Sequence, residues 1–114
     1  MKRSLIAAAI ALAPTAALAT TVTIELPGSE PPSVQNLTYD CDGRTIGATY
    51  INTAANALAV LDLGEETVVM ANVLAASGAK YAGQKYVWWT KGDEADLYDL
   101  TQDEKTPLAH CQRK

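Results

Sequence analysis

The amino-acid sequence predicts an all-β domain of seven or eight short antiparallel strands, arranged as a small closed barrel or a sandwich. From about Asn36 onward, short runs alternate apolar and polar residues, which is the period of a half-buried strand. Turn-forming residues separate these runs at the spacing of β-hairpins. The chain has 114 residues, which is enough for one domain with one hydrophobic core.

The predicted strands follow one another directly along the chain. In order they are NLTYDC, RTIGATYI, NALAVLDL, ETVVMANV, AKYA, QKYVWWT, EADLYDL and PLAHC. The turn signals between them are Asp42-Gly43, Asn52 to Asn56, Gly64-Glu65, Ser77-Gly78, Gly83 and Gly92-Asp93. The alanine-rich residues 54–59 also allow a short helix, but their neighbours are β-branched or turn-forming, so we interpret this piece as strand. Such a pattern is typical of small barrels and sandwiches.

The first nineteen residues, MKRSLIAAAIALAPTAALA, have the composition of a secretory signal peptide. A basic start precedes an apolar run, which Pro14 interrupts, and small residues lead to an expected cleavage after Ala19. A membrane-spanning helix needs about 20 uninterrupted apolar residues, so we expect no membrane anchor. The residue after the expected cut is Thr20 rather than the cysteine that a lipoprotein requires.

Three segments are therefore expected in the chain. Residues 1–19 form the signal peptide, residues 20–35 a proline-rich N-terminal arm, and residues 36–114 the β-domain. The arm contains the stretch PGSEPPSVQ, whose composition is typical of a linker.

The expected mature chain is acidic. Its leader contains two basic residues and no acidic ones, so cleavage leaves seven Lys and Arg against thirteen Asp and Glu, a net charge of −6. This balance disfavours nucleic acid as a partner, because phosphates attract clustered Lys and Arg. It favours a basic protein partner, with an association rate that salt reduces.

The two cysteines, Cys41 and Cys111, are expected to form a disulfide bond. They lie near the two ends of the predicted domain, and the leader directs the chain to an oxidising compartment. The chain-entropy model gives such a long loop about 4 kcal/mol of stabilisation. A metal-binding or reactive pair is the alternative, but the sequence has no CxxC motif and one histidine, His110.

The residue types of an enzyme site are sparse. Ser77 is not part of a GxSxG motif. The one histidine that could act as its base, His110, stands beside a cysteine that we expect to be structural. The many carboxylates do not match a calcium-binding loop. We therefore expect a binding protein with no metal and no cofactor.

The pair Trp88-Trp89 presents one ring to each face of its strand, because neighbouring residues on a strand point in opposite directions. Val87 shares a face with Trp89, and Tyr86 shares a face with Trp88. The apolar valine favours Trp89 as the inward residue. Trp88 and Tyr86 would then face outward, as a stacking platform for sugar, as a protein contact, or as cover for the rim of the barrel.

Several motifs resemble the periplasmic and membrane-bound inhibitors of c-type lysozyme. SGAKY (residues 77–81) is followed by WTKGDEADL (residues 89–97), in the order and spacing of that family. YDCDG (residues 39–43) and Cys111 are similar to the family's terminal cysteine pair, so the resemblance covers residues 39–111. It implies an eight-stranded antiparallel β-barrel with one disulfide.

The resemblance also implies a function and a site. In the family, a loop carrying the serine of SGxxY enters the lysozyme cleft and engages the catalytic carboxylates, assisted by the lysine of the later KG motif. Those positions are Ser77 and Lys91 in this sequence. Gly78 would allow the loop to turn, and Tyr81 would brace the loop. Because Thr20 stands where membrane-bound members carry a lipid-modified cysteine, the chain resembles the soluble periplasmic branch.

Two other functions remain compatible with the sequence. A small secreted barrel could carry an apolar ligand, which requires a hollow interior. A peptidoglycan-binding or glycan-binding module could use Tyr86 and Trp88. An exposed aromatic face would also suit a homodimer.

Overall fold

The computed structural model describes residues 19–28 and 30–114, so the predicted leader lies outside the described residues except for Ala19. Eight antiparallel strands in chain order form one closed barrel, which confirms the predicted fold class. The strands are β1 (Ser33–Cys41), β2 (Arg44–Asn52), β3 (Ala57–Asp62), β4 (Thr67–Val73), β5 (Ala79–Gly83), β6 (Tyr86–Lys91), β7 (Glu94–Asp99) and β8 (Ala109–Arg113).

Each strand pairs with the next one along the chain, and β1 also pairs with β8 to close the barrel. The β1–β2 hairpin turns at Asp42 and Gly43, where φ is 55° and 87°. Two positive φ values in a two-residue hairpin loop define the turn type for which Asp-Gly is a preferred sequence. The first strand begins at Ser33, three residues before the expected start of the domain, and it includes residues that the sequence assigned to the arm.

The junction between β1 and β8 is short and carries the disulfide bond. Two residue pairs join the strands there, Tyr39 with Arg113 and Asp40 with Gln112. Cys41 and Cys111 are bonded across the same junction, and both are buried. The predicted disulfide is therefore confirmed, and it joins the two strands on which barrel closure depends.

Aromatic side chains fill the middle of the barrel. Trp88 has no exposed surface, and its ring meets that of Tyr39 edge-on at a centroid distance of 5.1 Å. Its indole Nε1–H donates a hydrogen bond of 2.8 Å to the hydroxyl of Tyr50, which lies 2.9 Å from the hydroxyl of Tyr39. Burial raises the pKa of Tyr50 well above its ordinary value. This packed interior disfavours the ligand-carrier alternative.

The expected orientation of the tryptophan pair is wrong. Trp88 points into the core and Trp89 points outward, half-buried. Val87 shares the outer face with Trp89, yet it is 7% exposed. Tyr98, which pairs with Val87 across β6 and β7, and Leu100 of the following connection line the same outer groove as Val87. Val87 is buried in an outer groove and does not belong to the core cluster, so valine was a misleading guide to the inward face.

The arm has no strand or helix among its described residues before Ser33. Its apolar side chains are largely exposed, with Val22 at 78% and Ile24 at 72%. Across residues 19–28 and 30–114, no helix has the length and apolar character that crossing a membrane demands.

Candidate functional site

Two connections at one end of the barrel carry the residues that the sequence singled out. Residues 74–78 join β4 to β5, and the two-residue turn Gly92-Asp93 joins β6 to β7. Because consecutive strands run in opposite directions, both connections lie at the same end. Ala79 pairs with Thr90 across β5 and β6, so the residues just beyond that pair, Gly78 and Lys91, are neighbours. Ser77 and Lys91 are both exposed.

Gly78 makes this close approach possible. Its φ is +66°, a left-handed conformation that disfavours residues with a β-carbon. A β-carbon on Gly78 would overlap the Thr90 carbonyl oxygen and would lie 2.9 Å from Cγ of Lys91. The loop can therefore lie flat against the end of β6 when residue 78 is glycine.

Trp89 contacts both the Ser77 loop and the Lys91 side chain from the outer face of β6. Its indole Nε1–H donates a hydrogen bond of 2.8 Å to the Ser77 carbonyl oxygen. The Lys91 ammonium lies 4.6 Å from the centre of the Trp89 ring, and the Lys80 ammonium lies 4.9 Å from it. Both distances are within the range of cation–π attraction.

Two carboxylates, Asp96 and Glu94, lie beside His110 on the outer face next to Trp89. Trp89 pairs with Asp96 of β7, and Asp96 pairs with His110 of β8. His110 Nδ1 lies 2.6 Å from Asp96 Oδ1, and Nε2 lies 3.6 Å from Glu94 Oε1. The hydrogen bond to Asp96, with the negative charges of both carboxylates, raises the pKa of His110.

Tyr81 lies behind the Ser77 loop and not on its surface. It is 6% exposed, pairs with Trp88, and its ring centre lies 5.7 Å from that of Tyr50. Burial raises the pKa of Tyr81. This location agrees with a bracing role and disfavours direct contact with a partner.

The proposed platform of Tyr86 and Trp88 is absent from the surface. Trp88 is in the core, and Tyr86 is a half-buried residue that packs against the core, with its hydroxyl donating to Glu66. Tyr86 begins β6 and Lys91 ends it, so the two lie about 17 Å apart along an extended strand. The fold brings together Ser77, Gly78 and Lys91, but it leaves Tyr86 at the other end.

The sequence reasoning missed Trp89 as a member of this region, and it missed Lys80 as a neighbour of the Trp89 ring outside the proposed binding residues. The spacing of Trp89 and Lys91, two residues apart on one strand, could have indicated a shared face. Lys80 depends on the register that sets it opposite Trp89, which the sequence does not reveal. Within the part of the chain that the structure describes, no three His, Cys, Asp or Glu side chains are grouped so as to hold a metal ion.

Comparison with known proteins identifies the family. The family described as membrane-bound lysozyme-inhibitor of c-type lysozyme matches residues 39–106, which span most of the barrel and include Ser77, Gly78 and Lys91. The chain belongs to this family. The resemblance found in the sequence motifs is thereby confirmed.

Two relatives carry the same description. The membrane-bound lysozyme inhibitor of C-type lysozyme from Cupriavidus necator is 43% identical over 86 residues, covering 73% of this chain and 69% of the relative. The protein of that name from Pseudomonas aeruginosa is 40% identical over 94 residues, covering 80% of this chain and 74% of the relative. These relatives are inhibitors rather than enzymes, in agreement with the expectation of a binding protein.

Solved structures give the same result. The P. aeruginosa inhibitor MliC, in its complex with hen egg white lysozyme, is 36% identical with a TM-score of 0.72, and the match covers 85% of this chain and 99% of that one. The periplasmic lysozyme inhibitor of C-type lysozyme from Salmonella typhimurium is 25% identical with a TM-score of 0.60, covering 71% and 98%. The fold of this chain is thus shared with a family member that has been crystallised with hen egg white lysozyme.

Proposed function

We propose that this protein inhibits c-type lysozyme by placing the Ser77 loop and the Lys91 side chain in the active-site cleft of the enzyme. The observation that carries the proposal is the packing of Gly78 against Thr90 and Lys91. This packing brings two exposed residues, Ser77 with its hydroxyl and Lys91 with its ammonium, to the same end of the barrel. Family membership supports lysozyme as the partner.

The chemistry of the cleft complements these two groups. Lysozyme catalyses glycoside cleavage with a protonated glutamic acid and an ionised aspartate. A serine hydroxyl can accept from the acid or donate to the carboxylate, and a lysine ammonium forms a charge-assisted hydrogen bond, which is stronger than a neutral one. Occupation of both carboxyl groups excludes the sugar, so the inhibitor needs no catalytic residue of its own.

The anchored backbone of the barrel reduces the entropy lost on binding, and its net charge raises the association rate. Each connection is anchored at both ends by paired strands, β4 and β5 for one and β6 and β7 for the other, which limits the loop entropy that the inhibitor loses when it binds. The net charge of −6 expected for the mature chain is opposite to that of the basic c-type lysozymes, and opposite charges raise the association rate. High salt should therefore slow association more than it accelerates dissociation.

We place this function in the periplasm. The leader at residues 1–19 would direct export. Cleavage after Ala19 would make Thr20 the first residue of the mature chain, where a lipoprotein has its lipid-modified cysteine. A soluble inhibitor in that compartment would protect the cell wall from lysozyme that has passed the outer membrane. The periplasmic inhibitor of S. typhimurium, similar in fold, supports this location.

The deciding experiment is a lysozyme assay on a cell-wall suspension. The mature protein is titrated against a c-type and a g-type lysozyme in parallel, and the loss of clearing activity is recorded. We expect stoichiometric loss of c-type activity and no loss of g-type activity. Equal loss of both activities, or no loss of either, would reject the proposal.

A further inference from the structure

One side chain, Trp89, touches both halves of the proposed binding surface. Its indole Nε1–H donates to the carbonyl oxygen of Ser77 at 2.8 Å, and its ring lies under the ammonium of Lys91 at 4.6 Å. The two contacts come from different parts of one indole, since the nitrogen serves the loop and the ring face serves the lysine. Trp89 is therefore the physical link between a loop after β4 and a lysine at the end of β6.

We propose that Trp89 is a positioning residue that fixes the Ser77 loop and the Lys91 ammonium relative to each other before lysozyme arrives. This inference rests on the proposed function and deepens it, because it names the residue that sets the geometry of the binding surface. Trp89 acts through its neighbours, while Ser77 and Lys91 make the contacts with the enzyme.

The need for such a residue follows from the two groups it holds. Residues 74–77 are not part of either flanking strand, so a connection without an added hydrogen bond would sample several conformations. A lysine side chain has many rotamers in solution, and fixing it at the moment of binding lowers affinity. A tryptophan has only two side-chain torsions, so it is a rigid support at little entropic cost.

The location of Trp89 separates this role from ordinary core packing. Trp89 is on the outer face of β6, outside the cluster of buried residues that fills the barrel, whereas Trp88 belongs to that cluster. The fold therefore rests on Trp88, and Trp89 is available for a task at the surface. Substitution of Trp89 should change binding with little change in the stability of the barrel.

Two substitutions at this position remove the contacts in turn, and one neighbour provides the control. Trp89→Phe removes the N–H donor and keeps a ring under Lys91, whereas Trp89→Leu removes both contacts. Lys80→Met is the matched control, because it removes the other ammonium on the same ring without touching the Ser77 hydrogen bond. Melting temperatures establish that all three variants fold.

Two readouts are measured on each variant. The first is the affinity for hen egg white lysozyme, with association and dissociation rates. The second is hydrogen exchange of the backbone amides of residues 76–79 in the free protein, measured by NMR. We expect Trp89→Phe to lower affinity about two- to tenfold, the range for loss of one hydrogen bond, and to speed exchange in the loop. Trp89→Leu should lower affinity further, and Lys80→Met should resemble the wild type in both readouts.

A double-mutant cycle tests the link to the lysine. If Trp89 positions Lys91, then Trp89→Leu should cost less affinity in a Lys91→Met background than in the wild type, with a coupling of about threefold or more. Trp89→Leu and Lys80→Met should combine additively. Additivity of Trp89→Leu with Lys91→Met would overturn the inference.

The remaining outcomes separate the inference from the proposed function. Normal loop exchange with weakened binding would mean that Trp89 contacts lysozyme directly, which rejects a positioning role. Wild-type affinity in folded Trp89→Leu would reject it as well. Failure of the wild-type protein to bind lysozyme would reject the proposed function. Unchanged amide exchange in Trp89→Phe would be sufficient to reject the claim that Trp89 fixes the loop, whether or not the protein binds lysozyme.

Discussion

Gly78 lies directly against the backbone of Thr90, at the point where the Ser77 loop meets the end of β6. A β-carbon at residue 78 would overlap the Thr90 carbonyl oxygen and would lie 2.9 Å from Cγ of Lys91. Backbone atoms of a paired strand cannot yield to it. The loop would have to move away from Lys91, and the two groups of the proposed site would separate.

Gly78→Ala should therefore weaken inhibition of c-type lysozyme more than Ser77→Ala does. The left-handed φ alone costs about 1–2 kcal/mol for a residue with a β-carbon, and the overlap adds to that cost. Gly43→Ala is the matched control, since its φ is +87° but its β-carbon would meet open space. Inhibition assays and denaturant unfolding of both variants separate backbone strain from displacement of the loop. Equal inhibition by Gly78→Ala and the wild type would contradict the structure of the site.

Ser77→Ala and Lys91→Ala should each weaken inhibition and leave the barrel intact, because both side chains are exposed. We expect Lys91→Ala to raise the inhibition constant about 10- to 100-fold, the range for a hydrogen bond to a charged group, and Ser77→Ala about two- to tenfold. The measurement is a titration against c-type lysozyme beside a thermal melt. A large fall in melting temperature would mean that the residues support the fold instead of facing a partner.

Removal of the disulfide should affect stability first and inhibition only as a consequence. Cys41 and Cys111 are 70 residues apart in the chain, and opening that loop should lower the free energy of unfolding by about 4 kcal/mol. Urea unfolding of the double variant Cys41→Ala, Cys111→Ala, compared with the wild type, gives the value. The double variant should still inhibit under conditions where circular dichroism shows a folded barrel. Loss of inhibition by a folded variant would assign the bond a role in the binding surface.

His110 should stabilise the barrel at low pH and lose that effect as the pH rises. Asp96 and Glu94 raise its pKa in the folded state above the ordinary value of about 6.5. The stabilisation is therefore complete below that ordinary value and disappears as the pH rises through the folded pKa. NMR titration of the imidazole measures the shift directly, and Asp96→Asn should move the pKa back toward the ordinary value. A wild-type pKa at or below the ordinary value would contradict the geometry.

Trp88 and Trp89 should differ sharply in their effect on stability. Trp88→Phe removes volume from the core and leaves the Tyr50 hydroxyl without its indole donor, so unfolding should become easier by about 2–3 kcal/mol. Trp89→Phe, on the outer face, should cost less than about 1 kcal/mol. Denaturant unfolding of the two variants under the same conditions makes the comparison. The reverse order would mean that the barrel interior is not as described.

Much of the fold follows from local features of the sequence. Alternation of apolar and polar residues gave all eight strands, because one face of each strand must be buried. The Asp42-Gly43 turn has the backbone angles that its residue types favour. The disulfide was expected because the chain has two cysteines and its N-terminal residues have the composition of a signal peptide, which indicates an oxidising compartment.

The candidate site was only partly predictable. The motifs containing Ser77, Gly78 and Lys91 were visible in the sequence, whereas the role of Trp89 was not. Trp89 meets the Ser77 carbonyl oxygen and the Lys80 ammonium through the register of β5 against β6. Register depends on contacts between strands that are separate in the chain.

The sequence by itself determined an all-β domain of seven or eight short antiparallel strands, the cysteine pair, and the fact that Trp88 and Trp89 lie on opposite faces. Those features depend on residue types and on the two-residue period of a strand. The tertiary structure alone decided which tryptophan lies inside. Tyr81 and Leu97 flank Trp88 across the neighbouring strands, while Val87 lies in a groove on the outer face that residues of the β7–β8 connection also line. Alternation fixes the relative direction of two neighbours, but only packing between distant segments decides which direction is the core.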